Sequence, residues 1–166
     1  FKAWQEAVEK EGSNEIEAIA GKVIDLGDGV VLKILHPFNS VAGDNPKNPH
    51  DDAVVVKLEY GELEVLLTGD METKVERRLI LAGENLDSDV LKVGHHGSKT
   101  STSEEFLSAV SPEAVVIQVG AKNRYGHPAP EVLKRFDDYG IKYYRNDING
   151  DIRLVSDGTS YQILTY

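Results

Sequence analysis

Short runs in which apolar residues alternate with polar ones dominate the first part of the chain, and a period of two predicts β-strands. The runs are residues 15–20, 22–26, 30–35, 52–60 and 62–68. Gly27-Asp28-Gly29 separates the second run from the third, and Gly61 separates the last two. Glycine at these points is typical of hairpin turns. We therefore expect two hairpins, with a weaker candidate strand before them and an irregular loop between them.

Beyond residue 70 the pattern changes to helices that alternate with strands. Helices are predicted at residues 72–82, 103–110 and 130–139, and strands at residues 89–94, 114–119, 141–145, 151–156 and 160–165. Gly83 suits a C-cap, Ser103 with two glutamates behind it suits an N-cap, and Pro130 suits a first helical position. This order predicts an α/β (α+β) fold in which helices cover one face of a sheet.

Residues 1–12 have apolar positions at helical spacing, at Trp4, Ala7 and Val8, and Gly12 follows as a stop signal. The pattern starts without a capping residue. We therefore expect the end of a helix that continues from a segment ahead of residue 1.

The composition is typical of a soluble globular protein with one domain. The chain has 166 residues, of which 40% are hydrophobic and 28% are charged, and this is enough for one core. No apolar run approaches the roughly 18 residues of a membrane helix, and the first residues lack the plan of a signal peptide. Cysteine is absent, so a metal site must use histidine and carboxylates.

The net charge of −10 argues against nucleic-acid binding through bulk charge. Acidic residues are nevertheless absent from residues 90–103 and 114–130. These two segments contain the basic residues Lys92, Lys99, Lys122 and Arg124. The candidate site loops are therefore predicted to be locally basic.

Three predicted strands end in glycine and a side chain that can bind a metal or transfer a proton. Asp70 follows the second hairpin, and His95 and His96 follow the next strand. His127 lies in the loop after the strand beyond that one. If these strands are neighbours in one sheet, the four side chains converge at its edge. Asp70 has an alternative interpretation as the N-cap of the helix that starts at residue 72.

Adjacent histidines at the end of a strand point to opposite faces. We therefore expect one of His95 and His96 to bind a metal while the other faces the substrate. Gly97 allows a close approach of the backbone, and Ser98 and Lys99 offer a hydroxyl and an ammonium group to an anion.

The remaining histidines are weaker candidates. His127 could equally be a turn residue that packs on a tyrosine. His50, in the irregular loop, is a minor candidate for a metal ligand or a base. His36, which precedes Pro37, is expected to be structural.

The order of these motifs resembles the metallo-β-lactamase-type domain of the ComEC/Rec2 DNA-internalisation competence proteins. The resemblance rests on Leu66-Leu67-Thr68-Gly69-Asp70, on residues 89–101 with their His-His-Gly-Ser motif, on Val119-Gly120, and on Asn123 with Tyr125-Gly126-His127-Pro128. It runs from about His36 to the C terminus. It implies a metallo-β-lactamase-like αββα sandwich, of which residues 1–166 would be the C-terminal portion in a single domain.

By this resemblance the complete protein is a metal-dependent hydrolase of the phosphodiesterase or nuclease type, which acts on DNA during uptake with two divalent ions, Zn or Mn. Asp70 would bridge the two ions, and His96 would complete the shell of the second. His95 would face the scissile group as a catalytic residue, with the catalytic His127 close by. Substrate oxygens would be held by Ser98, Lys99, Asn123 and Arg124.

The chain also departs from the family pattern, because the His-x-His-x-Asp-His motif that supplies most metal ligands is absent from residues 1–166. Where the family often shows Asn-Asp-x-Ser, this chain has His50-Asp51-Asp52-Ala53. We therefore expect the missing N-terminal half of the fold to be a partner, and the 166 residues alone to be inactive with few bound metals or none. Half of a sandwich would expose an apolar sheet face. We therefore expect the chain to retain the missing half, to form a homodimer, or to aggregate.

Two other functions stay open at this point. One is a metal-free or degenerate module for binding or assembly, and the other is a soluble metallo-hydrolase of the same superfamily that acts on a small molecule. The resemblance implies either a soluble domain of a bacterial membrane protein or an exported soluble homologue.

Overall fold

Seven strands form one sheet in the computed structural model, which describes residues 2–166. The strands are β1 (Val23–Gly27), β2 (Val30–His36), β3 (Val55–Tyr60), β4 (Leu63–Leu67), β5 (Val90–Lys92), β6 (Ala114–Ile117) and β7 (Lys142–Arg145). They lie side by side in chain order. The pairs from β1 to β4 are antiparallel, whereas those from β4 to β7 are parallel. Both predicted hairpins are therefore present.

Residues 2–166 form five helices, and the middle three alternate with the parallel strands as predicted. They are α1 (Lys2–Glu11), α2 (Thr73–Ala82), α3 (Glu104–Val110), α4 (Pro130–Asp138) and the short α5 (Asn146–Asn149). Gly83 ends α2 in the left-handed conformation with φ 74°, and the Ser103 hydroxyl accepts a hydrogen bond from the backbone N–H of Phe106 at the start of α3. The predicted caps are thus confirmed, and α5 is an element that the pattern did not indicate.

The main core lies between the sheet and α2, α3 and α4. Leu66, Leu91 and Val115 contribute neighbouring positions of β4, β5 and β6 to it. Phe106 and Phe136 pack on this face from the helices and are almost fully buried, and each contributes roughly 2–3 kcal/mol through its burial. This confirms the prediction that helices cover one face of the sheet.

A second sheet consists of one hairpin, formed by β8 (Ile152–Ser156) and β9 (Tyr161–Thr165), and it covers part of the opposite face. Leu154 and Ile163 pack there on the buried Leu63, Val65 and Val90. The expected apolar face is therefore partly covered by the chain's own C-terminal strands.

Several segments differ from the predictions, and two of the differences concern the surroundings of the site. Residues 15–20 form no strand, because the Glu17 carboxylate fastens this segment to a loop by accepting hydrogen bonds from the Ser40 hydroxyl (2.7 Å) and the Val41 N–H (2.9 Å). The strand expected at residues 89–94 ends at Lys92, and residues 94–97 form a 3-10 turn.

The predicted helix at residues 1–12 is present as α1, with Phe1 outside the described residues. Within residues 2–166, no helix combines the length and the apolar character that a bilayer crossing requires.

Candidate metal centre

The loops that follow β4, β5 and β6 converge, because these three strands are parallel neighbours. Nε2 of His96 lies 3.4 Å from Oδ1 of Asp70. The ring centroids of His95 and His127 are 5.7 Å apart. The four predicted side chains therefore meet at one edge of the sheet, as the strand ends indicated.

The His-His turn has an unusual backbone conformation that turns both rings toward this edge. His95 and His96 have φ values of 44° and 56°, in the left-handed region. The prediction that the two side chains point to opposite faces is wrong, because it required a strand where the structure has a turn. Gly97 follows with φ 78°, and a Cβ atom there would lie 2.7 Å from Cβ of Pro128. Glycine at this position lets the turn pack against the loop that carries His127.

His50, Glu72 and His95 form a group whose potential metal-binding atoms all lie within 4.8 Å of one another. The rings of His50 and His95 are 4.1 Å apart, and Nδ1 of His95 lies 3.3 Å from Oε1 of Glu72. This nitrogen is buried and makes no well-formed hydrogen bond. Two imidazoles and one carboxylate are a ligand set suited to Zn and related ions. A cation would satisfy the buried nitrogen, so the residues fit a metal.

Glu72 is held in place from two sides. Its carboxylate accepts hydrogen bonds from the Thr100 hydroxyl (2.6 Å) and from the Asn48 side-chain amide (2.9 Å). These bonds, that of Thr100 above all, together with His50 and His95 lower the pKa of Glu72, whereas its partial burial opposes the shift. Sequence reasoning missed Glu72 because its position before Thr73 is typical of a helix start. It is the N-cap residue of α2 but makes no side-chain cap.

Asp70 does not cap α2, since the N-cap is two residues later. Its carboxylate lies next to His96, whose other ring nitrogen, Nδ1, lies 2.6 Å from the carbonyl oxygen of Gln118. A carbonyl can only accept, so Nδ1 carries the hydrogen and Nε2 faces the carboxylate of Asp70. This orientation is the one that a metal-binding histidine adopts when its second nitrogen is fixed by the backbone.

Lys92 is a charged neighbour of this pair. Its ammonium group is half-buried and donates to the carbonyl oxygens of Gly69 and Val93, both at 3.2 Å. Burial lowers the pKa of Lys92, and Asp70 opposes this shift. The lysine ties the end of β4 to the end of β5. Its position in a strand gave it no distinct motif in the sequence.

The loop that carries His127 is organised by Asn123. The Asn123 amide donates to the carbonyl oxygens of Gly120 (3.0 Å) and His127 (2.9 Å), and its oxygen accepts from the N–H of His127 (2.9 Å). Burial, followed by the nearby His95 and His96, lowers the pKa of His127. The structure therefore places Asn123 in contact with the loop backbone, where it positions His127.

The other predicted substrate ligands are divided between buried and exposed positions. Ser98 is buried, and its hydroxyl is paired with that of Thr100 at 2.9 Å. Lys99 and Arg124 are exposed, as is Lys122, and within the described part of the chain these three make no hydrogen bond or ion pair. The site edge is less basic than the sequence indicated, because other segments bring in acidic side chains such as Asp70 and Glu72.

The segment after the His-His turn is fixed by a buried carboxylate. Glu76 of α2 is fully buried and accepts hydrogen bonds from the backbone N–H groups of Thr102 and Ser103, the latter at 3.0 Å. Burial raises the pKa of Glu76, and these bonds and Arg135 oppose the shift. Arg135 in turn donates to the carbonyl oxygen of Thr102 at 2.9 Å.

His36 is separate from the candidate centre. It is buried, its Nδ1 lies 2.8 Å from the carbonyl oxygen of Ala53, and its ring packs edge-on against Phe38. These contacts agree with the expected structural role.

Comparison with known proteins places the chain among competence and recombination proteins. It is 37% identical over 139 residues to ComE operon protein 3 of Bacillus subtilis and 41% identical over 130 residues to competence protein ComA of Neisseria gonorrhoeae. Recombination protein 2 of Haemophilus influenzae is 39% identical over 126 residues. These alignments include 82%, 76% and 76% of this chain, but only 18%, 18% and 15% of the respective relatives. No protein-family model matches the sequence.

A crystal structure of a protein from Parabacteroides distasonis, assigned as a metal-dependent hydrolase, has a similar fold. The TM-score is 0.52 with 15% sequence identity, over 86% of this chain and 62% of that protein. At this identity the likeness concerns the fold. The sheet and its helices have a metallo-β-lactamase-like α/β fold. Within that class the chain belongs to the ComEC type, with the three competence and recombination proteins as its relatives.

Proposed function

We propose that this domain contributes to a metal-dependent phosphodiesterase that acts on DNA. The observation that supports it most strongly is the group formed by His50, Glu72 and His95, whose ligand atoms lie within 4.8 Å of one another. Asp70 and His96 lie beside this group and would complete the metal-binding set. A bound divalent cation, Zn or Mn, would polarise a phosphate and supply a nucleophile from water. We propose that two ions bind, as the family resemblance implies.

The chain's own residues would bind and orient the phosphate. Lys99 and Arg124 are exposed and unpaired among residues 2–166, and their charges favour an anion over a neutral lactam or thioester. His127 is proposed to exchange a proton with the leaving oxygen. Ser98 and Asn123 would shape the two loops instead of touching the substrate, because their polar atoms are engaged there.

We propose further that residues 1–166 are the C-terminal part of the sandwich, and that its other half completes the site. The support is chemical: the His-x-His-x-Asp-His motif is absent from this sequence, and a catalytic site of this class needs its ligands. Native and denaturing mass measurements of the purified chain test this. A second polypeptide that carries the motif would support this proposal. A stable, active homodimer of the 166-residue chain would contradict it and would show that a second copy completes the site.

Calorimetric titration of Mn²⁺ and Zn²⁺ into the chelator-treated chain tests the metal centre. We expect Glu72→Gln to weaken binding about 10- to 100-fold, while the exposed Glu105→Gln on α3 serves as a matched control without effect. The metal-loaded chain, with and without its other half, is then assayed on linear DNA and on bis(p-nitrophenyl) phosphate. Activity on the small phosphodiester alone would contradict a nuclease and favour a small-molecule hydrolase. Absence of metal binding by the chain together with its other half would favour a metal-free binding or assembly module.

A further inference from the structure

Tyr125 is an exposed aromatic residue at the rim of the candidate centre. The residue is 84% exposed, and its ring lies nearly parallel to that of His127, with 17° between the planes and 5.9 Å between the centroids. So large an exposed ring contributes little to the core. Its placement next to a proposed catalytic histidine points to a role in binding.

A cavity of about 340 Å³ lies beside this aromatic pair. Its walls include His96 of the candidate centre, Val119 in the loop after β6, Tyr125 and His127. The volume is at the lower end of the range of about 300–1,000 Å³ for small-molecule sites. A flat group that enters this cavity would lie near the Tyr125 ring and near His96 of the candidate centre.

We infer that this cavity binds an unstacked nucleobase of single-stranded DNA, with the base lying on Tyr125. The inference rests on the proposed function, because the phosphate next to that base would be the one at the metal centre. Stacking on an exposed aromatic ring is the usual way in which proteins hold bases without reading their sequence. In a duplex the faces of a base are covered by its neighbours, so the subsite selects a single strand.

The charges around Tyr125 suit the strand that would carry this base. Lys122 and Arg124 precede it in the same loop, are exposed, and form no ion pair within the described residues. No acidic residue occurs from residue 114 to residue 130. A phosphate next to the base would therefore meet positive charge locally, although the whole chain carries a net charge of −10.

Fluorescence anisotropy with labelled oligonucleotides, in a chelating buffer that prevents cleavage, tests the inference without any turnover. The probes are a short oligothymidylate and a strand of equal length built from abasic residues. We expect Tyr125→Ala to weaken binding of oligothymidylate about 5- to 100-fold, as for the loss of one stacked base, and to change abasic-strand binding less than about 2-fold. Tyr125→Phe keeps the ring and should bind both probes like the wild type.

The outcomes separate this inference from the proposed function. Equal binding of both probes by the wild type, or an equal loss for both in Tyr125→Ala, would overturn base stacking while phosphate binding stands. A duplex probe of equal length that the wild type binds more tightly than the single strand would also overturn it. If the wild type binds neither probe, the inference fails, while the proposed function is decided separately by the metal titration and the activity assays given above. Circular dichroism of each variant checks the fold, which an exposed loop residue should not alter.

Discussion

Nε2 of His96 lies 3.4 Å from Oδ1 of Asp70, while the opposite ring nitrogen of His96 is held by the backbone carbonyl of Gln118. A neutral His96 in this tautomer directs a lone pair at a carboxylate. The contact is unfavourable unless a proton or a metal cation lies between the two groups.

The tautomer of His96 is directly measurable. We expect ¹⁵N NMR of the metal-free chain at pH 8 to show the hydrogen on Nδ1, and addition of Zn²⁺ to shift the Nε2 resonance of this ring. Asp70→Ala should weaken Zn²⁺ binding about 10-fold or more and leave the tautomer unchanged, because Gln118 fixes it. A hydrogen on Nε2 in the metal-free chain would contradict this assignment.

Lys92 should oppose cation binding at the same place. Replacing Lys92 by Met removes a positive charge near Asp70, and we expect divalent cations to bind about 3- to 10-fold more tightly, since a nearby like charge costs on the order of 1 kcal/mol in water-like surroundings. Lys99→Met, an exposed change in the neighbouring loop, should leave the affinity within about 2-fold. Calorimetric titration compares the three chains, and weaker binding in Lys92→Met would show that the lysine acts by positioning the loops.

Glu76 gives a pH dependence of stability with a defined sign. Its pKa is raised in the folded chain by burial, so the folded state holds its proton to higher pH than the unfolded state does. The wild type therefore loses stability as the pH rises from about 4.3, the usual pKa of glutamate, through the raised value. Urea unfolding from pH 4 to pH 8 measures this effect. The free energy of unfolding of the wild type should fall relative to that of Glu76→Gln as the pH rises through this interval.

Asp147 should show the opposite sign. Its carboxylate forms a two-point ion pair with Arg145, with contacts of 3.0 and 2.6 Å, and this pairing lowers the pKa of Asp147. The stabilisation is present above the usual aspartate pKa of about 3.9 and is lost as the pH falls through the lowered value. Asp147→Asn should cost about 1–2 kcal/mol at pH 7 and progressively less below pH 4. A cost that is independent of pH would contradict the pairing.

The packing of the His-His turn can be tested by comparing alanine substitutions at two glycines. Gly97 and Gly126 have similar φ values of 78° and 71°, but a Cβ would collide with Pro128 only at Gly97, and at Gly126 it would meet open space. Gly126→Ala should cost about 1–2 kcal/mol, from backbone strain alone. Gly97→Ala should cost about 2–3 kcal/mol more and should weaken Zn²⁺ binding as well. Equal costs in urea unfolding would show that the turn adapts to the added methyl group.

The local sequence pattern predicted the elements of the fold correctly where the residue type at a helix end has one strong conformational preference. Gly83 and Ser103 cap helices in the structure as their types indicated, and the convergence of the strand ends followed from the order of helices and strands. Residues 15–20 were assigned wrongly because their alternation satisfied a strand pattern, whereas the Glu17 carboxylate binds a loop instead.

The site was predicted less completely, for two physical reasons. Glu72 owes its place in the centre to Thr100 and Asn48, contacts that only the folded chain brings together. The orientation of His95 and His96 depends on left-handed φ values, which non-glycine residues adopt rarely and which therefore leave no signal in the sequence. Metal-binding roles for all these residues remain predictions.

The residues of the candidate centre come from separate parts of the chain, since His50, Asp70, His95 and His127 lie in four different loops. An unfolded chain therefore has no such centre, and a cation that binds it shifts the folding equilibrium by mass action. At a free concentration 100 times its dissociation constant, the ion would add about 2.7 kcal/mol to the free energy of unfolding. Supply of the metal would then set how long the domain survives proteolysis, independently of any reaction that it catalyses.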